Sequence, residues 1–173
     1  MTTRAIVFDW GDTLMQDFRQ FEGPMCDWPH VELLPGVRQA LERLSGRFLC
    51  VVASNAGDSD ARLLARALQR VNILHHFAGV WTARDLGATK PSPAFFAEVA
   101  LLLGLPPAGC VSVGNDLVKD VRPAQSAGMR GVWLNPNQLG PAPSPDGAQP
   151  DAVIRTMREL PAVIDGWNVQ RAE

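Results

Sequence analysis

The chain has 173 residues, of which 46% are hydrophobic and 20% charged, and its formal net charge is −2. This length is that of one ordinary domain, and the balance of apolar and charged residues excludes an intrinsically disordered chain. The charge gives no electrostatic reason to expect nucleic acid or an anionic membrane as a partner, and no apolar run reaches the roughly 20 residues of a membrane span.

Short apolar runs alternate with helical patterns along the sequence, and each run ends at small, polar or turn-forming residues, as expected of buried strands. Strands are predicted over 5–9, 49–53, 79–82, 110–113 and 131–134. Helices are predicted from 35–36 to 44, from a cap at Asp58 or Ser59 to 71, over 96–103, over 117–127 and over 152–164. The stretch 135–150 is rich in Pro and Gly and is predicted to be a surface loop.

Continuous apolar strands with helices between them are typical of a parallel sheet covered on both faces. We therefore expect a doubly wound α/β fold of three layers with a mainly parallel, five-stranded sheet. Residues 1–173 are expected to form a single domain. A short flap at about 15–34 is the only predicted insertion, which is too small for a large cap domain.

Polar side chains follow three of these strands directly, and ligands of parallel sheets bind at this end of the strands. Asp9 ends the first strand, Ser54-Asn55 the second and Gly114-Asn115-Asp116 the fourth. A carboxylate can bind magnesium and attack phosphorus only if the repulsion from the substrate phosphate is cancelled. Ser54 offers a hydroxyl for this purpose and Lys90, held before a proline, offers a positive charge.

The order of these motifs resembles that of the haloacid dehalogenase (HAD) superfamily, and the resemblance covers essentially the whole chain. Residues 8–14 are similar to the first motif of that family, 51–55 to the second, 90–95 to the third and 113–121 to the fourth. The resemblance implies a HAD-like, Rossmann-like fold and a magnesium-dependent hydrolase of the capless or minimal-cap type.

The resemblance also implies a role for each motif residue. Asp9 is the implied nucleophile, which would carry an aspartyl phosphate, and Ser54 and Lys90 would hold the phosphoryl group. Further substrate contacts are expected from Trp10, Asp12 and Asn55. The candidate magnesium ligands are Asp9, the carbonyl of Gly11, Asn115, Asp116 and Asp120. Asp120 is also the expected partner of Lys90.

Two positions depart from the family pattern. Gly11 stands where phosphatases of the family carry a second Asp as general acid and base, help that is typically worth about 10²–10⁴-fold. Asp12 could replace that Asp only if its side chain reached the site, and neighbouring residues on a turn seldom point the same way. Asn115 stands where the family commonly has a metal-binding Asp, so we expect weaker magnesium binding.

Three functions therefore remain open. The leading one is a phosphatase, slowed by Gly11, that acts on a phosphorylated small molecule or macromolecule. The second is a weakened phosphate-binding or regulatory module that acts through a protein partner. The third is C–halogen or C–P hydrolysis, since those branches also lack the second Asp, although they generally use a cap for specificity.

The remaining expectations concern the surroundings of the site. A capless site would act on large substrates or close by forming a homo-oligomer. The charged and aromatic flap residues, Asp17 and Trp28 among them, are either substrate selectors or solvated loop residues.

Cys50 and Cys110 lie in apolar runs and are expected to be buried thiols. No feature requires an oxidising compartment or a signal peptide, so a cytoplasmic protein is expected.

Overall fold

Six short segments form one parallel sheet in the computed structural model, which describes residues 2–57, 59–138, 140 and 149–169. The strands are β1 (Ala5–Phe8), β2 (Leu49–Ser54), β3 (Gly79–Thr82), β4 (Cys110–Gly114), β5 (Arg130–Leu134) and β6 (Ala152–Ile154). Their order across the sheet is β3-β2-β1-β4-β5-β6, and every neighbouring pair is parallel. The first strand lies in the centre, between the strands that end at Ser54 and Gly114.

Helices connect the strands and cover both faces of the sheet. They are α1 (Val37–Leu44), α2 (Ala61–Arg70), α3 (Ala83–Leu86), α4 (Pro93–Leu102), α5 (Arg122–Ser126) and α6 (Leu160–Val169). Within the described residues, none of these helices combines the length and the apolar character that crossing a membrane requires.

The alternation of side chains along β1 divides the core in two. Ile6 and Phe8 pack into the larger cluster, which also takes in the apolar faces of α1 and α2. Ala5 and Val7 face the opposite way into a second cluster with residues of α4. Because a strand points successive side chains to opposite faces, these two clusters lie on the two sides of the sheet. The predicted doubly wound, three-layer fold is confirmed.

The predicted number of strands is wrong, because the described residues form six strands rather than five. Residues 152–154 were expected to begin the last helix, but they form β6 and pair with β5 at the edge of the sheet. A run of three residues is too short to distinguish a strand from the start of a helix by its periodicity. The last helix begins at Leu160, just after a capping box formed by Thr156 and Glu159.

Two helix predictions also need correction. The N-cap of α2 is Asp60, whose Oδ1 accepts a hydrogen bond from Leu63 N at 2.8 Å, and not Ser59. The alternative cap, Asp58, lies outside the described residues, as do 139 and 141–148 of the predicted loop. The predicted helix over 117–127 is divided into a π-helical turn (Leu117–Val121) and α5. Pro123 has no N–H to continue a regular helical ladder across this junction.

Candidate active site

The three central strands bring the predicted motifs together at one edge of the sheet. Strand order β2-β1-β4 places Ser54, Asp9 and Gly114 side by side, and Asp9 N donates to Val113 O at 2.9 Å. A cavity of about 430 Å³ opens at this edge. All ten predicted site residues border it: Asp9, Trp10, Gly11, Asp12, Ser54, Asn55, Lys90, Asn115, Asp116 and Asp120.

A buried ion-pair network lies at the bottom of the cavity. Lys90 Nζ donates to Asp9 Oδ1 and to Asp120 Oδ1, each at 2.8 Å, and the Lys90 side chain is only 3% exposed. Ser54 Oγ donates to the same Asp9 Oδ1 at 3.2 Å. One oxygen of Asp9 is thus surrounded by a cation and a hydroxyl, as the charge-neutralising role predicted for Lys90 requires.

The protonation of this network follows from its charges. Burial by itself would lower the pKa of Lys90, but Asp9 and Asp120 outweigh it and the pKa is raised, so the side chain is an ammonium ion at neutral pH. Burial, and next the charge of Asp9, raise the pKa of Asp120 to about 6 against the opposing effect of Lys90. A single cation is therefore shared between two carboxylates.

Asn55 holds the main chain of Lys90 in place. Its Oδ1 accepts from Lys90 N at 2.9 Å and its Nδ2 donates to Lys90 O at 3.1 Å. Both polar atoms of the amide are engaged in this way. The substrate contact predicted for Asn55 stays a prediction, whereas the structure shows it positioning the lysine.

Thr13 joins the first motif to the fourth, a link that sequence reasoning missed. Its hydroxyl lies 3.1 Å from Asp9 Oδ2 and 3.3 Å from Asn115 Oδ1, and it accepts from Asn115 N at 3.2 Å. A hydroxyl has one proton, so it cannot fully satisfy two acceptor oxygens at once. The only signal in the sequence is a polar residue before Leu14, at the end of the motif.

These oxygens suit a hard cation such as Mg²⁺. Asp9 Oδ2 and the amide oxygen of Asn115 converge on the same hydroxyl, and Gly11 lines the same cavity. Among the described residues, no three His, Cys, Asp or Glu side chains are grouped to hold a metal ion. A magnesium site here would therefore take part of its ligands from neutral oxygens.

The two aspartates of the fourth motif have other partners. Asp116 caps the π-helical turn, since its Oδ1 accepts from Val118 N at 2.9 Å and Lys119 N at 3.0 Å. Asp120 Oδ2 accepts from Asp116 N at 3.0 Å while Oδ1 binds Lys90. The geometry therefore supports the pairing of Asp120 with Lys90, and it leaves that carboxylate poorly placed to hold a metal.

The first motif is a tight loop with a left-handed residue. Asp12 has φ = 52°, a conformation for which glycine is best suited and which Asp tolerates. Its Oδ1 accepts from Gln16 Nε2 at 3.1 Å and from Asp17 N at 3.0 Å. The Trp10 ring is buried at 6% exposure, and its Nε1 donates to Met15 Sδ at 3.2 Å. Asp12 thus holds the next turn, and Trp10 packs mainly as a core residue.

The predicted flap lies beside the cavity. It contains a short 3₁₀ helix (Met25–Asp27), and Met25 and Trp28 line the cavity together with Asp17. Arg70 on α2 anchors it by donating to the carbonyls of Cys26 and Trp28.

The family model for haloacid dehalogenase-like hydrolases matches residues 17–128, which is well over half of the chain. The chain belongs to the haloacid dehalogenase-like hydrolase family. The matched region contains Ser54, Lys90 and Asp120, and it begins after Asp9. The placement of Asp9 in the site therefore comes from the strand-end geometry and the Lys90 contact described above, and not from the family match.

Similar proteins include two phosphatases. The hydrolase is 30% identical over 118 residues to phosphoserine phosphatase of Thermus thermophilus, covering 68% of this chain and 45% of that protein. It is 38% identical over 98 residues to glyceraldehyde 3-phosphate phosphatase of Methanopyrus kandleri, covering 56% and 42%. The chain spans about half the length of the curated relatives it matches.

A similar solved structure is a 2-haloacid dehalogenase from Pseudomonas syringae pv. Tomato DC3000. It is 32% identical to this hydrolase with a TM-score of 0.68, and the match covers 80% of this chain and 55% of that one.

Proposed function

We propose that this hydrolase is a magnesium-dependent phosphatase that acts through an aspartyl phosphate on Asp9. The observation that carries the proposal is the placement of the Lys90 ammonium and the Ser54 hydroxyl on one and the same Asp9 oxygen. The likeness to two curated phosphatases supports it, and their names suggest a phosphate monoester as the substrate class.

The contacts distinguish the two oxygens of Asp9. Oδ2 faces Thr13 and Asn115, so a bound Mg²⁺ would be held by Oδ2, by the Asn115 amide oxygen and by the Gly11 carbonyl, and would neutralise phosphate charge. Oδ1 is then the oxygen that attacks phosphorus. Ser54 and Lys90, which already contact Oδ1, bind the oxygens of the transferred phosphoryl group and offset its charge.

The test is magnesium-dependent hydrolysis of p-nitrophenyl phosphate by the wild type and by Asp9→Asn. We expect the substitution to reduce turnover by at least 10³-fold, because the amide cannot act as the nucleophile. Asp165→Asn is the matched control, since Asp165 pairs with Arg47 at the surface and should leave turnover unchanged. Turnover that survives in Asp9→Asn would overturn the proposal.

A second candidate is favoured by Gly11 together with the likeness to the 2-haloacid dehalogenase. In that case the carboxylate of Asp9 would displace a halide from carbon, and the leaving halide needs no proton. Chloride release from 2-chloropropanoate, lost in Asp9→Asn, would establish this activity in place of phosphatase activity. A phosphoryl adduct from acetyl phosphate without turnover would instead identify the weakened phosphate-binding module.

A further inference from the structure

The space beside Gly11 is occupied by another carboxylate. A Cβ placed on Gly11 would lie 3.8 Å from Asp17 Cβ and 4.0 Å from Asp17 Oδ2, which are ordinary contact distances. Asp17 also borders the same cavity as Asp9. The carboxylate of Asp17 thus lies next to the volume into which a side chain at position 11 would extend.

The loop holds Asp17 in this position through its neighbours. Asp12 Oδ1 accepts from the backbone N of Asp17 at 3.0 Å, and Asp12 N donates to Met15 O at 2.7 Å. Gln16 N donates to Glu32 O at 3.0 Å, which ties the same turn to the far end of the flap. The side chain of Asp12 therefore fixes the backbone of residue 17.

The carboxylate of Asp17 differs from the other carboxylates around the cavity in its hydrogen-bond and ion-pair partners. Within the described part of the chain, its carboxylate accepts no hydrogen bond and forms no ion pair. The other four all have partners: Asp9, Asp12, Asp116 and Asp120. Asp17 is also exposed, so a leaving group or a water molecule can reach it from the open side of the cavity.

We propose that Asp17 is the general acid and base of this enzyme, in place of the side chain that Gly11 lacks. This inference rests on the proposed phosphatase function. Asp17 is a catalytic residue in this account because it contacts the leaving oxygen in one step and the attacking water in the next.

The two steps balance in atoms and charge. In the first, Asp9 Oδ1 forms a bond to phosphorus while the bond from phosphorus to the leaving oxygen breaks, and protonated Asp17 gives its proton to that oxygen to release an alcohol. In the second, water attacks phosphorus and the Asp9–phosphorus bond breaks. Asp17 takes one proton from the water, phosphate is released, and both aspartates return to their starting states.

Substrates with different leaving groups test this role. An alkyl ester such as glycerol 2-phosphate needs a proton on its leaving oxygen, whereas p-nitrophenolate leaves without one. In Asp17→Asn we expect kcat/KM for glycerol 2-phosphate to fall by about 10²–10⁴-fold. With p-nitrophenyl phosphate we expect a burst of one product per active site, followed by slow turnover, because the second step still lacks its base.

Two further variants complete the test. Gly11→Asp in the Asp17→Asn background should restore turnover of glycerol 2-phosphate by at least tenfold, since it returns a carboxylate to the same space. Asp27→Asn, at an exposed flap position paired with Arg66, is the matched control and should behave as the wild type. Circular dichroism of Asp17→Asn should match the wild type, because the side chain is exposed.

Equal losses on both substrates without a burst, or no loss at all, would overturn the role of Asp17, as would failure of Gly11→Asp to rescue. Each of these results would leave turnover dependent on Asp9, so the phosphatase proposal would stand. If the wild type turned over neither of the two esters, the proposed function itself would be overturned.

Discussion

At the scale of single residues, the two departures from the family pattern have different consequences. Asn115 keeps an oxygen at the metal position but removes a charge, and its Oδ1 faces Asp9 Oδ2 across Thr13. Gly11 removes a proton carrier altogether, and the structure places Asp17 beside the missing side chain. In the proposed mechanism the first change lowers the affinity for an ion, whereas the second moves the acid–base function to another residue of the loop.

The role of Asn115 can be tested by restoring the charge. In Asn115→Asp we expect the magnesium concentration for half-maximal activity to fall about tenfold, because a second carboxylate attracts a divalent cation more strongly than an amide does. Titration of activity with Mg²⁺, together with calorimetric titration of the ion alone, measures this shift. Asn137→Asp adds the same charge at an exposed position and should shift neither curve. An unchanged half-saturation in Asn115→Asp would remove Asn115 from the ion site.

Sequence reasoning could bring Asp9, Ser54 and Lys90 together because each lies in its own motif and the motifs stand in the family order. It could not foresee that the Asn55 amide holds both the N–H and the carbonyl of Lys90, since the two residues are 35 positions apart. It also missed Thr13, whose partner Asn115 is 102 positions away. Contacts of this kind depend on the tertiary fold and leave no local pattern.

At the scale of elements, the flap shows why a short insertion can still enclose part of a site. An isolated bridge between Met15 and Leu33 ties its two ends together, and a second bridge joins Met15 to Gly11 in the first motif. Its middle is fixed to α2, where the Arg70 guanidinium donates to two main-chain carbonyls. The anchoring of the flap could not be predicted from the sequence, because it depends on an arginine that is one of several on α2 and carries no motif.

The anchor predicts how the flap responds to substitution. In Arg70→Ala we expect the flap to open more often, because two hydrogen bonds from a charged group, each worth about 1.5–3 kcal/mol, are lost. The thiol of Cys26, which is 5% exposed, serves as the reporter. Its alkylation, measured by peptide mapping, should be at least tenfold faster in Arg70→Ala than in the wild type. Arg66→Ala is the control, since the Arg66–Asp27 pair is exposed on both sides and contributes little. Equal rates in the two variants would show that Arg70 does not hold the flap.

At the scale of the whole molecule, the two-sided core was predictable and the edge of the sheet was not. Unbroken apolar strands such as β1 and β4 indicate burial on both faces wherever they lie in the sheet. The edge strand β6 has three residues, of which only Ile154 is buried. Short, half-exposed strands owe their conformation to the neighbour they pair with, here β5, so the sequence of residues 152–154 alone could not separate strand from helix.

The same two-sided core determines how the fold responds to alkaline pH. Burial raises the pKa of Cys50 to about 12 and that of Cys110 to about 11, from an ordinary value of 9.0. Between these values a thiol stays protonated in the folded chain but ionises in the unfolded one. Ionisation therefore favours the unfolded state, and the stabilisation present below pH 9 is lost as the pH rises. Above pH 9, each thiol lowers the free energy of unfolding by on the order of 1 kcal/mol per pH unit.

We therefore expect the Tm, measured with a phosphine reductant present, to fall steeply between pH 9 and pH 10.5. The sequence has no tyrosine, and the raised pKa of Lys90 keeps that residue protonated across this window, so the thiols dominate the change. In the variant Cys50→Ala/Cys110→Ala the Tm should start lower, because two cavities are created, but it should depend much less on pH. The slope of Tm against pH is the quantity to compare, because it separates the effect of ionisation from the effect of packing. A variant with the same slope as the wild type would show that other groups control the alkaline unfolding of this fold.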